Sequence, residues 1–410
     1  MQDTFQQQLH KYAELIVKVG VNLQPGQVLY VESPLEAAEL TRVLVRKAYE
    51  AGAKYVQVAW DDEAVTRARF ETAPEDSFSY YPQWNASMME QLAEGGGALV
   101  NIKVPNPDLF EGIDGRKVST ATRAAAKARE TFSGYVRTNK LSWCLVKAPT
   151  RVWANKVFAD LPEEDRMQAM WETIFMMNRI DQPDPVAAWQ KHIAHLNGVS
   201  ERLNTKRYAK LHFRAPGTDL TVELADNHIW EGGGGENQSG VYFMANMPTE
   251  EVFTMPKRSG TNGKVTSTMP LNLNGSLVDK FTLTFAEGKV VDYSAEVGYD
   301  ALKALLETDE GARYLGEVAL VPDDSPISNL NRIFFNTGLD ENASCHLAIG
   351  SAYPFNIEGG TEMSKEELLA SGANVSLTHV DFMIGSKELD LDGILADGTV
   401  EPLFRKGNWV

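Results

Sequence analysis

Cysteine is scarce in this chain of 410 residues, which contains only Cys144 and Cys345. Two thiols so far apart exclude a disulfide-stapled scaffold and match none of the usual spacings of cysteine metal ligands. Long apolar runs are also missing, because no stretch reaches the roughly 20 residues that a membrane-spanning helix needs. The first residues lack the basic and apolar segments that are typical of a signal peptide. These absences predict a cytoplasmic protein that has no membrane partner.

Basic residues are too few to favour a nucleic-acid partner. Lysine and arginine number 39 against 56 aspartates and glutamates, and the formal net charge is −17. Nucleic acids and anionic membrane surfaces both select a surplus of positive charge, so neither partner is expected. Apolar residues make up 43% of the chain, which is ordinary for a globular protein. The length exceeds that of one average domain, so we expect two domains.

The first half of the chain alternates between helical and strand patterns. Apolar residues recur at helical spacing from Phe5 to Val19. Short apolar runs that predict strands lie at residues 28–31, 55–59, 98–102 and 143–146. Strands that alternate with helices are typical of a mostly parallel sheet. We therefore predict an α/β N-terminal domain with such a sheet over residues 1–204.

After residue 206 the apolar pattern changes from helical spacing to strand spacing. Two pairs of short strand-like runs, each joined by a turn, lie at residues 210–213 with 220–224 and 281–285 with 290–293. This arrangement is typical of β-hairpins. One helical stretch near residues 299–308 interrupts the strands. The pattern predicts a β-rich α+β C-terminal domain over residues 205–410, and the candidate ligands described next make it the expected catalytic domain.

Carboxylates and imidazoles within apolar, β-prone runs of the second half are the main candidates for chemistry, because burying them is costly unless something pairs with them. His379 and Asp381 alternate along one predicted strand, so their side chains share a face. The pair would suit a metal ion, or Asp381 would simply hold the histidine. Glu317 lies in an apolar run before Pro322, where it would be either a ligand or an edge residue that faces water.

Two further segments contain metal-ligand types. Glu250 and Glu251 precede an apolar run, so one would point inward, or the pair would begin a helix or turn that Thr249 caps. His346 closes a segment that also contains Glu341. Together these segments and the strand residues above supply oxygen and nitrogen donors without a thiolate. That donor set suits a pair of divalent ions such as zinc, cobalt or manganese, which can activate water for amide hydrolysis.

Other candidates carry weaker patterns. His192 and His195 have an i, i+3 spacing that would bind a metal, but their polar neighbours favour an exposed helix. Cys345 would be a nucleophile only with a histidine and asparagine signature, and the sequence shows none. Packing is the favoured role for this cysteine.

Four segments resemble those of the thermophilic-type metalloaminopeptidases, a family that includes aminopeptidases T and S and PepS. The segments lie at residues 248–254, 316–321, 340–346 and 378–385. The resemblance is most specific over residues 241–385. It implies an exopeptidase that removes N-terminal residues from short peptides with two divalent metal ions, namely zinc, cobalt, manganese or magnesium. It also implies a homodimer.

The resemblance also implies roles for individual residues. The family's metal ligands correspond to Glu251, Glu317, His346, His379 and Asp381, with Glu341 as a further one. Where the family often has glycine before its first ligand this chain has Glu250, so we choose Glu251. Two residues are expected to be catalytic. Glu317 would take the proton of the attacking water, or would serve purely as a ligand, and the phenol of Tyr353 would donate to the oxyanion.

Two rival functions remain open from the sequence. A dinuclear phosphoesterase would use the same ligands, but an acidic chain without an arginine cluster near these segments suits phosphate poorly. A metal-stabilised binding protein without catalysis is the second rival. For such a binding protein, removing the metal with a chelator would lower the melting temperature, and there would be no enzymatic turnover to abolish.

Overall fold

The structure, a computed structural model, describes residues 4–104, 106, 109–273 and 276–410. The strands are β1 (Val28–Pro34), β2 (Tyr55–Asp61), β3 (Ala98–Lys103), β4 (Ser142–Lys147), β5 (Lys210–Ala215), β6 (Thr218–Leu224), β7 (Gly234–Glu236), β8 (Tyr242–Met244), β9 (Val252–Thr254), β10 (Pro256–Thr266), β11 (Leu271–Leu273), β12 (Ser276–Ala286), β13 (Lys289–Val297), β14 (Leu315–Leu320), β15 (His346–Gly350), β16 (His379–Met383), β17 (Asp390–Ile394), β18 (Val400–Arg405) and β19 (Asn408–Trp409). The helices are α1 (Phe5–Leu15), α2 (Ala38–Glu50), α3 (Glu63–Thr72), α4 (Gln83–Glu94), α5 (Gly115–Ala128), α6 (Glu130–Arg137), α7 (Arg151–Val157), α8 (Glu163–Met177), α9 (Pro185–Lys206), α10 (Tyr299–Leu306), α11 (Thr337–Asp340) and α12 (Lys365–Ala370).

The chain divides into two compact units by its internal packing. The first unit contains Met1–His192 and Gly234–Pro248, and the second contains Ile193–Gly233 and Thr249–Val410. The boundary predicted between residues 204 and 205 stays a prediction. Within the described part of the chain, no helix is both long and apolar enough to cross a membrane.

The first unit is built on a parallel sheet whose strand order is β2-β1-β3-β4. Thr4 begins helix α1 with a capping box, in which its hydroxyl accepts from the Gln7 backbone N–H and the Gln7 amide accepts from that of Thr4. The helix buries Tyr12, whose hydroxyl donates to the carbonyl of Lys147 at the end of β4. The predicted α/β architecture with a mostly parallel sheet is confirmed.

The second unit is built from two antiparallel sheets. The larger has the order β11-β12-β10-β6-β5-β17-β18-β19, with β13 also paired to β12, and the smaller has the order β16-β15-β14-β9. The predicted hairpins correspond to β5–β6 and β12–β13, and the predicted helix corresponds to α10. The β-rich C-terminal half is therefore confirmed.

One face of the smaller sheet packs in the core of the second unit. Its inward residues alternate along the strands and join a single apolar cluster; they are Val252, Val318, Leu320, Leu347, Ile349 and Phe382. The same cluster includes Phe213, Val222 and Phe281 from the larger sheet. Each such side chain contributes about 1.5–3 kcal/mol on burial. Because alternate residues point to opposite faces, the polar residues between them are held on the other face.

A buried aspartate links three neighbouring strands of the larger sheet. Asp392 on β17 accepts hydrogen bonds from Arg214 of β5 at 2.6 Å and from Arg405 of β18 at 2.5 Å. Its side chain is only 5% exposed. Burial opposes ionisation of Asp392, but the two guanidinium groups outweigh it and lower the pKa of this carboxyl.

Replacing Asp392 with asparagine is expected to destabilise the protein by about 2 kcal/mol at pH 7, because two guanidinium groups lose their charged partner while keeping solvent access. Because its pKa is lower in the folded state, the ionised Asp392 stabilises the fold at pH values above about 3.9, the ordinary aspartate pKa. This stabilisation is lost as pH falls through the folded-state pKa. The difference between the variant and the wild type should therefore begin to shrink below about pH 4 and vanish only once pH is below the folded-state pKa. Urea unfolding at several pH values measures the difference, with the exposed Asp292→Asn as the control. Equal stability at pH 7 would contradict this role.

Candidate metal centre

The polar face of the smaller sheet carries the residues that the sequence singles out. Ala319 of β14 pairs with His346 of β15, and Glu317 pairs with Ala348. Ala348 in turn pairs with Asp381 of β16. Directly paired residues in antiparallel strands point to the same face, so all these side chains lie together. The two alanines occupy little volume and leave space between the charged groups.

Two strand ends complete this face. His379 at the start of β16 pairs with Gly350, and Glu251 immediately precedes β9. The donor atoms fall into two groups, Glu251 with Glu317 and His346, and Glu317 with His379 and Asp381. Within each group the atoms lie within 4.8 Å of one another. Glu317 belongs to both groups, so a single carboxylate connects two adjacent ligand sets.

The distances show how closely the groups approach. His346 Nε2 lies 3.0 Å from Glu251 Oε2 and 3.5 Å from Glu317 Oε1. His379 Nε2 lies 3.6 Å from Glu317 Oε2 and 3.3 Å from Asp381 Oδ1. Each oxygen of Glu317 therefore faces a different imidazole.

Backbone carbonyls determine the orientation of both imidazoles. His346 Nδ1 lies 3.0 Å from the carbonyl of Ser344, and His379 Nδ1 lies 2.7 Å from that of Ser351. A carbonyl only accepts, so Nδ1 must carry a hydrogen in each ring. In the neutral tautomer, Nε2 then presents its lone pair toward the carboxylates. This is the orientation that metal-bound histidines adopt.

The carboxylates of the site favour positive charge on the groups beside them. Burial opposes protonation of His346, but Glu251 and Glu317 outweigh it and raise the pKa of this imidazole well above its usual value. Burial likewise opposes protonation of His379, yet Asp381 and Glu317 raise its pKa to about 10. Burial raises the pKa of Glu317. A divalent cation satisfies the same carboxylates while leaving both imidazoles neutral, and the oxygen and nitrogen donors present fit it.

Glu341 and Glu250 occupy different positions relative to the two groups. Glu341 is half-buried beside the site, where its carboxylate lies close to that of Asp381. Burial, followed by the charges of Asp381 and Glu251, raises the pKa of Glu341 well above its usual value. Glu250 is buried, and its backbone N–H donates to Asn342 Oδ1 at 2.7 Å. The structure thus brings Glu251, rather than Glu250, to His346.

Tyr353 borders the second ligand set. Its ring centroid lies 4.8 Å from that of His379, and it stacks on Phe355 at 5.2 Å. Phe253 packs edge-on against it at 6.2 Å. Burial and the charges of Glu317 and other nearby carboxylates raise the pKa of Tyr353 well above its usual value. The phenol therefore keeps its proton and is able to donate a hydrogen bond beside the histidine.

Other candidates from the sequence lie outside this constellation. The thiol of Cys345 donates to the carbonyl of Val321 at 3.3 Å, and burial raises its pKa to about 12, which excludes a thiolate nucleophile. Among the residues that the structure describes, neither ligand group includes His192 or His195. The orienting carbonyls of Ser344 and Ser351 had no sequence signal, because every residue has a backbone carbonyl.

A β-bulge sets the position of Glu317. The register between β14 and β15 shifts between Leu315 and Glu317. A Cβ on the intervening Gly316 would lie 2.4 Å from the carbonyl oxygens of both Gly350 and Ser351. Only glycine permits this approach, and bulges of this kind redirect the side chains that follow them.

This sheet face presents two linked histidine–carboxylate sets in front of an apolar core, and such a donor set fits the class of metal-dependent hydrolases. The thermophilic metalloprotease (M29) family model matches residues 5–409. Aminopeptidase 2 of Geobacillus stearothermophilus is 54% identical over 405 residues, which cover 99% of this chain and 98% of that protein. Aminopeptidase T of Thermus aquaticus is 43% identical over 408 residues, with full coverage of both chains.

A solved structure gives the same result. Wild-type AmpT from Thermus thermophilus superposes with a TM-score of 0.94 at 41% sequence identity, covering 99% of this chain and 100% of that one. This chain belongs to the M29 family of thermophilic metalloproteases. The resemblance inferred from the sequence segments is confirmed, and so is the enzyme class, a hydrolase of peptide bonds.

Replacing Gly316 with alanine is expected to destabilise the protein by about 1–3 kcal/mol and to lower metal affinity, because the new methyl group displaces the strands that present Glu317. Urea unfolding and metal titration measure the two effects. Gly198→Ala is the matched control: this position in α9 has no atoms near its added Cβ, and a small gain of about 0.5–1 kcal/mol is expected. If both variants behaved alike, the bulge would not depend on glycine.

Proposed function

We propose that this chain is an aminopeptidase that removes N-terminal residues from short peptides at a centre of two divalent cations. The observation that carries the proposal is the position of Glu317, which belongs to two adjacent histidine–carboxylate sets. The similar proteins from Geobacillus stearothermophilus and Thermus aquaticus are aminopeptidases by name, which supports cleavage at the N-terminus.

The two ligand sets divide between two cations. Glu251 and His346 would hold one cation, His379 and Asp381 would hold the other, and Glu317, which belongs to both sets, would serve both. Glu341 would be a further ligand, because its carboxylate lies close to that of Asp381. A ligand set of carboxylate oxygens and imidazole nitrogens, without a thiolate, suits zinc, cobalt, manganese or magnesium.

When bound, such cations polarise the scissile carbonyl and make water acidic enough to attack it near neutral pH. Glu317 accepts the proton of the attacking water and delivers it to the nitrogen of the leaving amine, so that the C–N bond breaks as the amine departs. Tyr353 donates its phenolic hydrogen to the developing oxyanion. Its position beside His379 places that donor at the edge of the ligand face.

Three properties stay predictions. Short peptides as substrates and a homodimer rest on the resemblance to the family. The cytoplasmic location rests on the composition of the chain, in which cysteine is scarce. Gel filtration coupled to light scattering tests the dimer directly.

Removing metal with EDTA is expected to abolish hydrolysis of leucine p-nitroanilide, and adding back cobalt, zinc, manganese or magnesium should restore it. Metal analysis should find two ions per chain in the wild type. We expect at most one in His379→Ala and fewer than one in Glu317→Gln, because the shared carboxylate supports both sets. The exposed Glu366→Gln is the control and should keep both ions and full activity.

Several outcomes would contradict this assignment. Full turnover by His379→Ala would show that the second ligand set is not needed for catalysis. One ion per chain at full activity would rule out the dinuclear centre. Hydrolysis of p-nitrophenyl phosphate in place of the p-nitroanilide would favour the phosphoesterase, and metal binding without any turnover would favour the binding protein.

Tyr353→Phe is expected to lower kcat by about 100- to 1,000-fold, the usual effect of removing one oxyanion donor. The ring remains, so its packing against His379 and Phe355 should persist. Metal content and melting temperature should therefore match the wild type. A loss of metal together with activity would instead indicate a structural role for the hydroxyl.

A further inference from the structure

Glu231 pairs with a strand that belongs to the ligand face. Its backbone N–H donates to the carbonyl of Phe253, and the N–H of Phe253 donates back, each at 2.9 Å. This reciprocal pair is the closely bonded type of antiparallel pairing, in which the two Cα atoms lie about 5.5 Å apart. Both side chains consequently point to the same face.

That face is the one that carries the ligand sets. Phe253 pairs on its other side with Ala319, which pairs in turn with His346. Glu251, two residues before Phe253, reaches His346 Nε2 across the same face. Glu231 therefore extends the ligand face by one strand position beyond Phe253.

An aromatic group lies between Glu231 and the second ligand set. Phe253 contacts the rings of Tyr353 and Phe355, and Tyr353 contacts His379. Ring faces attract cations, and this attraction strengthens where water is excluded. A carboxylate that borders such rings forms an environment that favours an ammonium group.

The carboxylate of Glu231 has nothing to neutralise it within the described part of the chain, where it forms neither a hydrogen bond nor an ion pair. The residue is only partly exposed, and burial raises its pKa to about 7. Holding a carboxylate in such a place is costly unless a cationic partner arrives. Three other carboxylates of the face, those of Glu251, Glu317 and Asp381, already lie against the histidines.

We propose that Glu231 binds the free α-ammonium group of the peptide substrate and so restricts cleavage to the first peptide bond. This inference rests on the proposed aminopeptidase function. The carboxylate accepts hydrogen bonds from the ammonium, and the ring of Phe253 lies at the paired strand position beside it. A peptide without a free N-terminus leaves Glu231 unpaired and loses that interaction.

The test compares Glu231→Gln with wild type, because glutamine keeps the size of the side chain and removes its charge. Loss of a charge-assisted hydrogen bond should lower kcat/KM for leucine p-nitroanilide by about 10- to 100-fold, mainly through KM. The inhibition constant of 3-methylbutylamine should rise by a similar factor. That of 3-methylbutanol, which has the same carbon chain and no charge, should not change. Glu366→Gln should match wild type in every measurement.

Metal content and melting temperature of Glu231→Gln verify that the centre is intact. Unchanged amine inhibition with an unchanged KM would overturn the proposal, and so would an equal loss for the amine and the alcohol. A loss confined to lysine and arginine p-nitroanilides would also overturn it, since Glu231 would then read the substrate side chain. If wild type itself failed to hydrolyse any amino-acid p-nitroanilide, the aminopeptidase function would fail first, whatever the variant shows.

Discussion

The interaction on which this structure depends is the mutual compensation of carboxylates and imidazoles on one face of a small antiparallel sheet. Glu317 lies at its centre, between His346 and His379; it is buried together with His346, whereas His379 is partly exposed. Such a concentration of charge is tolerated only because each group has an oppositely charged neighbour, or a cation in its place. The rest of the second unit positions these groups, because the opposite face of the sheet is anchored in the apolar core.

Precision at this site comes mainly from the backbone. The carbonyls of Ser344 and Ser351 set the tautomer of each histidine, so that both Nε2 atoms face the carboxylates. Gly316 permits a bulge in which β14 approaches Gly350 and Ser351 closely, one residue before Glu317. Alanines at the paired positions keep the centre open. Function therefore follows from strand register: a shift by one residue would turn every ligand into the apolar core and every core residue outward.

Much of the fold was predictable because it depends on local patterns. The four apolar runs of the first half form the parallel sheet, and the two predicted hairpins and the helix between strands are present as expected. The division into units was less accessible. The segment Gly234–Pro248 packs with the first unit although strands of the second precede and follow it in the chain. No local periodicity predicts that this segment packs with the first unit, because that packing depends on contacts between residues far apart in sequence.

The sequence by itself determined the chemistry of the donors: oxygen and imidazole ligands, no thiolates, and an alternation that assigns His379 and Asp381 to one side of a strand. It also carried the resemblance to the family. Only the tertiary structure decided that Glu251 rather than Glu250 reaches His346, that Glu317 is shared, and that Glu231 borders the same face. The physical reason is that strand pairing joins residues far apart along the chain, and pairing sets which side chains meet, whereas a local pattern sets only which face each one takes.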